Sequence, residues 1–220
     1  MNLTGKTINF IGDSITEGCG VEDIANCRFD NVIKKQCNLK AVYNYGISAT
    51  RIAHQRVASE MPRADLNFCA RAYDLNPDSD ITVVFGGTND YGHGDAPFGT
   101  LEDKTPDTFC GAVEFLMNTL KELYPEMTVI FMTPAHRIND DKPSVNPKKN
   151  NNAYPLKNYV DVIKTKGEQK GIPVLDLFEN LGLDPNDEKI MEKYAPDGLH
   201  FNDLGHKVIA ERLISFIQDL

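Results

Sequence analysis

Ile8-Asn9-Phe10-Ile11-Gly12-Asp13-Ser14-Ile15-Thr16-Glu17-Gly18 is the stretch on which the fold of this chain turns. The apolar residues of 8–11 read as a buried first strand, extending over 7–11. Gly12 ends it, and the residues after it can open a helix or a tight turn. Ser14 therefore stands where a strand hands over to a helix N-terminus. In an open α/β sheet this is the carboxyl end of the strands, where ligands bind. Unpaired backbone N–H groups at such a helix start face whatever the serine meets. The arrangement suits a nucleophile that generates an oxyanion and then stabilises it. Taken alone, Gly12-Asp13-Ser14 reads first as a phosphate-friendly turn or as helix capping by Asp13 or Ser14.

Outward from that stretch, strands and helices alternate. Phe29, Val32, Ile33 and Cys37 recur at helical spacing and predict a helix over about 23–37. A second strand covers 41–45 and ends at Gly46. Residues 50–75 are helical in parts, with Pro62 interrupting, and a β-branched third strand covers 80–85 before Gly86-Gly87. Asp107 is the expected N-cap of a helix carrying Phe109, Val113, Leu116, Leu120 and Leu123 on one face, closed by Pro125. A fourth strand covers 127–132. Residues 136–154 are polar and read as a long loop. Pro155 suits the first turn of a helix ending near Gly171. A fifth strand covers 173–177, and Asn202 or Asp203 caps a last helix with a stripe of Ile209, Leu213, Phe216, Ile217 and Leu220. With no repeat, low-complexity tract or linker, residues 1–220 are expected to form one α/β domain. Its sheet has about five mostly parallel strands, with helices on both faces.

The 220 residues suffice for a sizeable core, and the formal net charge of −9 is spread along the chain. A nucleic-acid binder would need a basic stripe, so nucleic acid is excluded as a partner. No run approaches the length of a membrane span. The first strand begins almost at once after Met1, without a basic and then apolar leader, so the expected location is cytoplasmic. The five cysteines, Cys19, Cys27, Cys37, Cys69 and Cys110, lack paired spacing and are read as reduced thiols without a catalytic role. His54, His93 and His136 are scattered without metal-ligand spacing, so no metal is assigned. His93 and His136 fall on loops at the active edge and are given a surface role. His206, in the first turn of the last helix, is given a solvated or capping role. No G-x-G-x-x-G comes after a strand, and no cofactor is expected.

Stretches after the strands and before the last helix complete a chemical set with Ser14. A neutral hydroxyl is a poor nucleophile near pH 7 and needs a base, which His200 is best placed to supply. Asp197 lies three residues earlier across a Gly-containing turn, so one turn can carry base and orienter. Gly46, directly after strand two, has no side chain to block its N–H. Asn89, directly after strand three, offers an amide donor. With the N–H of Ser14 these make a three-donor oxyanion hole. The plainer readings are a turn glycine at Gly46 and an Asx-turn at Asn89-Asp90. Asp90 is read as bracing the loop that aims Asn89, and Asp13 as a backbone brace.

On these residues the chain resembles the SGNH hydrolases, the larger class of GDSL-type esterases and lipases. The name-giving serine, glycine, asparagine and histidine fall on Ser14, Gly46, Asn89 and His200, in the family's order and with Asp-x-x-His spacing. Ile15 stands where the nicknamed leucine would be. The resemblance implies a flavodoxin-like three-layer α/β/α sandwich and a metal-free acyl-enzyme mechanism. The loops at 91–106 and 136–154 are polar, whereas a lipase wants a wide apolar trough. A short acyl group, acetyl above all, on a sugar or similar polar alcohol is the expected ester. The same motifs serve lysophospholipases and thioesterases. A non-catalytic glycan or phosphate binder is the rival of another class, and it would have no use for a base with its orienter.

Overall fold

Strands form where apolar residues run without a break, and helices where they return every three or four positions. The structure is a computed structural model and describes residues 1–146 and 153–220. In chain order the elements begin with β1 (Thr7–Gly12), α1 (Ser14–Glu17), α2 (Ile24–Cys27), α3 (Phe29–Gln36) and β2 (Ala41–Gly46). Next come α4 (Phe68–Arg71), β3 (Ile81–Phe85), α5 (Thr88–Gly92), α6 (Phe109–Leu123), β4 (Thr128–Met132) and α7 (Leu156–Lys170). The chain closes with β5 (Val174–Leu175), α8 (Leu177–Asn180), α9 (Glu188–Tyr194) and α10 (Asp203–Asp219). The sheet order is β2-β1-β3-β4-β5, and every pairing is parallel. This is the flavodoxin-like order, whose connections diverge between β1 and β3 and leave a crevice at the carboxyl ends of those strands.

The side-chain period of two divides the strands between two cores. Ile11, Val84, Val129 and Phe131 face α4, α6 and α7, packing on Phe68, Val113, Leu116 and Ile163. Ile8, Phe10, Val83, Phe85 and Ile130 face α3 and α10, packing on Phe29, Ile33, Ile209, Leu213 and Ile217. The result is the expected α/β/α sandwich. Each fully buried Leu, Ile, Val or Phe contributes about 1.5–3 kcal/mol relative to exposure, which sets the register firmly.

Several local expectations are corrected. The helix over 23–37 is broken at Arg28, which is extended (φ −62°, ψ 133°). Its guanidinium grips Asp30 through Nε and Nη2 (2.7 and 2.9 Å) and donates to the Glu17 carbonyl (3.2 Å), so backbone helicity yields to side-chain bonds. Thr108, not Asp107, caps α6, its Oγ1 accepting from Gly111 N–H at 3.1 Å. The fifth strand is only Val174–Leu175, because Asp176 turns to cap α8. Asn202 caps α10, but Leu220 is half exposed and Phe216 only partly buried. Of the 136–154 loop, the described residues carry no helix or strand, and 147–152 lie outside the described residues.

His206 is the largest departure, since it is fully buried rather than solvated. Its ring stacks on Phe29 (centroids 5.7 Å apart), and Nδ1 accepts the Phe29 N–H at 3.3 Å. Among the described residues Nε2 has no partner, so the ring is held neutral, and burial drives its pKa down to about 4. A histidine depressed in the folded state keeps its full contribution above its unfolded pKa of about 6.5, and loses it as pH falls through 4. Stability is therefore expected to drop by about 3 kcal/mol between pH 7 and 4 from this residue. Urea midpoints of His206→Phe should lack that component. An unchanged pH dependence in the variant would refute it.

Candidate active site

The loops after β1, β2 and β3 and the turn before α10 meet at the carboxyl edge of the sheet. Asp13 caps α1 by accepting the Ile15 N–H at 3.0 Å, which sets Ser14 at the first helical position. There the Ser14 N–H has no intrahelical acceptor. His200 Nε2 lies 2.9 Å from Ser14 Oγ, and His200 Nδ1 lies 2.6 Å from Asp197 Oδ2. An ionised carboxylate only accepts, so Nδ1 carries the hydrogen and Nε2 is left to accept from the Ser14 hydroxyl. Asp197 Oδ1 also accepts the N–H groups of Leu199 (2.9 Å) and His200 (2.7 Å). Burial works to raise the Asp197 pKa, but these bonds together outweigh it and hold the carboxyl below its usual range. Gly198, at φ +77°, makes the reversal that lets one short turn offer both groups.

Asn89 is buried at the start of α5, and its Nδ2 donates to the Thr50 carbonyl at 3.0 Å, leaving a second amide hydrogen. Asp90 holds the neighbouring chain by accepting the N–H groups of Ile52 and Ala53, both at 2.9 Å. Asp13 is buried beside it. Burial, reinforced by the Asp90 charge and only partly offset by the Ile15 N–H, Arg71 and Arg137, pushes its pKa up to about 7.

Gly46 does not offer its amide as the sequence suggests. Its N–H donates to Asn44 Oδ1 at 2.9 Å, and a Cβ there would meet Glu17 N at 2.2 Å. The missing side chain serves the packing of β2 against α1. The unengaged amide comes three residues later, at Ala49, for which no protein acceptor is present among the described residues. Ala49 has φ +65°, a conformation a non-glycine residue adopts only at a cost. No residue type marked it in the sequence, where a glycine would have been the signal.

Arg71 was also unmarked. Buried in the crevice, it donates to the carbonyls of Gly12 (3.1 Å) and Tyr45 and to Thr50 Oγ1 (2.9 Å), tying the ends of β1 and β2 together. His93 Nδ1 lies 3.4 Å from Arg51 Nη1. His136 pairs with Asp140 at 2.7 Å and rests on Phe178, lining a cavity of about 740 Å³ that contains no residue of the Ser14–His200–Asp197 set. All five cysteines are free. Among the described residues no group of three or more His, Cys, Asp or Glu gathers to hold a metal, and no helix is long and apolar enough to cross a membrane.

Known proteins share the fold of this chain. A crystal structure of a protein from Lactobacillus plantarum superposes with a TM-score of 0.82 at 28% identity, covering 98% of each chain. A putative GDSL-like lipase from Bacteroides uniformis gives 0.68 at 19% identity, covering 98% of this chain and 96% of its own. An acetyl-xylooligosaccharide esterase from Geobacillus Stearmophilus gives 0.62 at 19% identity, covering 99% and 96%. At such identity the last two share the fold. No curated protein matches the sequence. The profile of the GDSL-like lipase/acylhydrolase family matches residues 10–208, nearly the whole chain, and the protein accordingly belongs to that family and is a carboxylic ester hydrolase.

Proposed function

We propose that the protein is a serine esterase acting through an acyl-enzyme, with Ser14 as nucleophile, His200 as general base and acid, and Asp197 as orienter. The observation that carries this reading is the unbroken relay from Asp197 Oδ2 to His200 to Ser14 Oγ, at 2.6 and 2.9 Å. Ser14 Oγ attacks the ester carbonyl as its proton passes to His200 Nε2. The negative charge that develops on the carbonyl oxygen is met by the N–H groups of Ser14 and Ala49 and by Asn89 Nδ2, with Ala49 taking the place expected of Gly46. Removing one such donor typically costs about 3 kcal/mol of transition-state stabilisation. The imidazolium then protonates the leaving alcohol. Water, deprotonated in the same way, attacks the acyl-enzyme and releases the acid.

The substrate we propose is a short acyl ester, most simply an acetyl ester, of a carbohydrate or similar polar alcohol. Polar side chains meet where the Ser14 helix approaches the turn after β2: Glu17, Ser48 and Arg63. Acetyl-xylooligosaccharide and acetyl xylan esterases stand among the structural neighbours. Fluorophosphonate is expected to label Ser14 alone, and 4-nitrophenyl esters of rising chain length should be hydrolysed fastest at acetate. A maximum at long chains would favour a lysophospholipase or thioesterase. Failure of labelling, with no turnover of any ester, would leave a binding module.

A further inference from the structure

We propose that Glu17 is a positioning residue for the oxyanion hole, locking the turn after β2 in the form that presents the Ala49 N–H to the substrate oxygen. The inference rests on the esterase reading above.

Residues Ile47–Thr50 form a turn closed by Thr50 N–H to the Ile47 carbonyl (3.3 Å), and Thr50 Oγ1 donates to the same carbonyl (2.6 Å). Its third residue, Ala49, is left-handed, the signature of a type II turn, where glycine is normally required. Type I and type II turns differ by a flip of the central peptide, here Ser48–Ala49, so the left-handed state of Ala49 decides which way its N–H points. In the ordinary type I form both central residues are right-handed, and an alanine prefers that form. Left-handed backbone costs an L-residue about 1–2 kcal/mol, so something outside the turn must hold the flip.

Glu17 supplies that hold. Its Oε2 accepts both the backbone N–H of Ser48, at 2.7 Å, and the Ser48 hydroxyl. Its Oε1 pairs with Arg63 Nη2. Burial works against its charge, but the bonds from Arg63 and Ser48 prevail and hold its pKa below the ordinary value. Bonds to a charged acceptor are the stronger kind, on the scale of the strain they oppose. The rest of the turn is braced as well: Ile47 N–H donates to the Gly12 carbonyl (3.1 Å), and Arg51 Nη1 donates to the Ala49 carbonyl (3.1 Å). Glu17 fixes the amide and the hydroxyl of Ser48, the residue whose carbonyl carbon begins the flipped peptide, and Cys19 Sγ lies 3.2 Å from the same hydroxyl. The position of Glu17 at the end of α1, one turn beyond Ser14, ties the oxyanion side of the site to the nucleophile through a single short helix.

Glu17→Ala is expected to lower kcat for 4-nitrophenyl acetate about 10- to 100-fold with KM within twofold, while fluorophosphonate still marks Ser14 at saturating reagent. Ser48→Ala, which removes the hydroxyl's links to Glu17 and to Cys19 but leaves the backbone link, should lower kcat a few-fold in the same direction and serves if Glu17→Ala does not fold. The decisive step adds Ala49→Gly to Glu17→Ala. Glycine enters the left-handed region without cost, so kcat should recover at least fivefold relative to Glu17→Ala. A KM effect without a kcat effect would make Glu17 a substrate contact and overturn the proposal. So would failure of Ala49→Gly to restore kcat in a folded double variant. If wild-type Ser14 resists fluorophosphonate, the esterase reading fails first, and independently of Glu17.

Discussion

Asp197→Asn is expected to reduce kcat for an ester about 10⁴-fold while leaving the fold and the position of His200 unchanged. The reason lies in how Asp197 is held. Its Oδ1 accepts two backbone N–H groups, those of Leu199 and His200. An asparagine must place its carbonyl oxygen there, because an NH₂ group cannot accept them. Its NH₂ then occupies the position of Oδ2 and faces His200 Nδ1, which must become the acceptor. The imidazole hydrogen moves to Nε2 and points at Ser14 Oγ, the wrong tautomer for a base. The loss should appear equally in kcat and in the rate of fluorophosphonate labelling, with urea midpoints near wild type. Ser14→Ala combined with Asp197→Asn should cost little more than Ser14→Ala alone, since the groups act as a unit. A loss smaller than tenfold in Asp197→Asn would mean that His200 is not the base, or that Asp197 does not orient it.

The second large effect concerns stability, at the seam of α6 and α7. Lys166 is buried, its side chain 3% exposed, and its Nζ donates to Glu114 Oε2 at 2.9 Å and to the Leu101 carbonyl. Lys170 reaches Glu114 Oε1 at 2.6 Å. Burial works to raise the Glu114 pKa, but the bonds from the two lysines prevail and bring it to about 2. Glu114→Ala removes the partner and leaves the Lys166 ammonium uncompensated in the core. Stranding a buried charge in this way costs about 3–5 kcal/mol, which for a chain of this size lowers Tm by about 10 °C. Glu114→Leu with Lys166→Met should recover most of that loss, because no charge is left to desolvate. The acid behaviour has a definite sign. A carboxylate depressed in the folded state contributes fully above its unfolded pKa of about 4.5, and the contribution disappears as pH falls towards 2. A Glu114→Ala protein as stable as wild type at pH 7 would show that water, not protein, satisfies Lys166.

Particular elements show where the sequence could be read and where it could not. The helix at 109–123 and the strand at 81–85 announce themselves because apolar spacing alone decides which face is buried. Asp107 and Thr108 are both good caps by residue type, and only the position of Asp103 and the approach of the 97–98 chain select Thr108. The burial of His206 was hidden for a similar reason. Its helix presents it to Phe29, a residue 177 positions away, and no local pattern records that meeting.

The active site divides along the same line. The identities of Ser14, Asn89, Asp197 and His200, and their places at strand ends and before the last helix, were fixed by the amino-acid order, because parallel strands bring their carboxyl ends to one edge whatever the loops do. Which backbone amides remain free could come only from the folded chain. Gly46 looked open for want of a side chain, yet Asn44 takes its N–H and α1 fills the space beside it. Ala49 looked ordinary, yet side chains from α1 and α5 and from Arg51 hold its turn in a conformation that alanine avoids alone. Hydrogen-bond supply and backbone handedness are settled by distant neighbours, and those are known only once the chain has closed on itself.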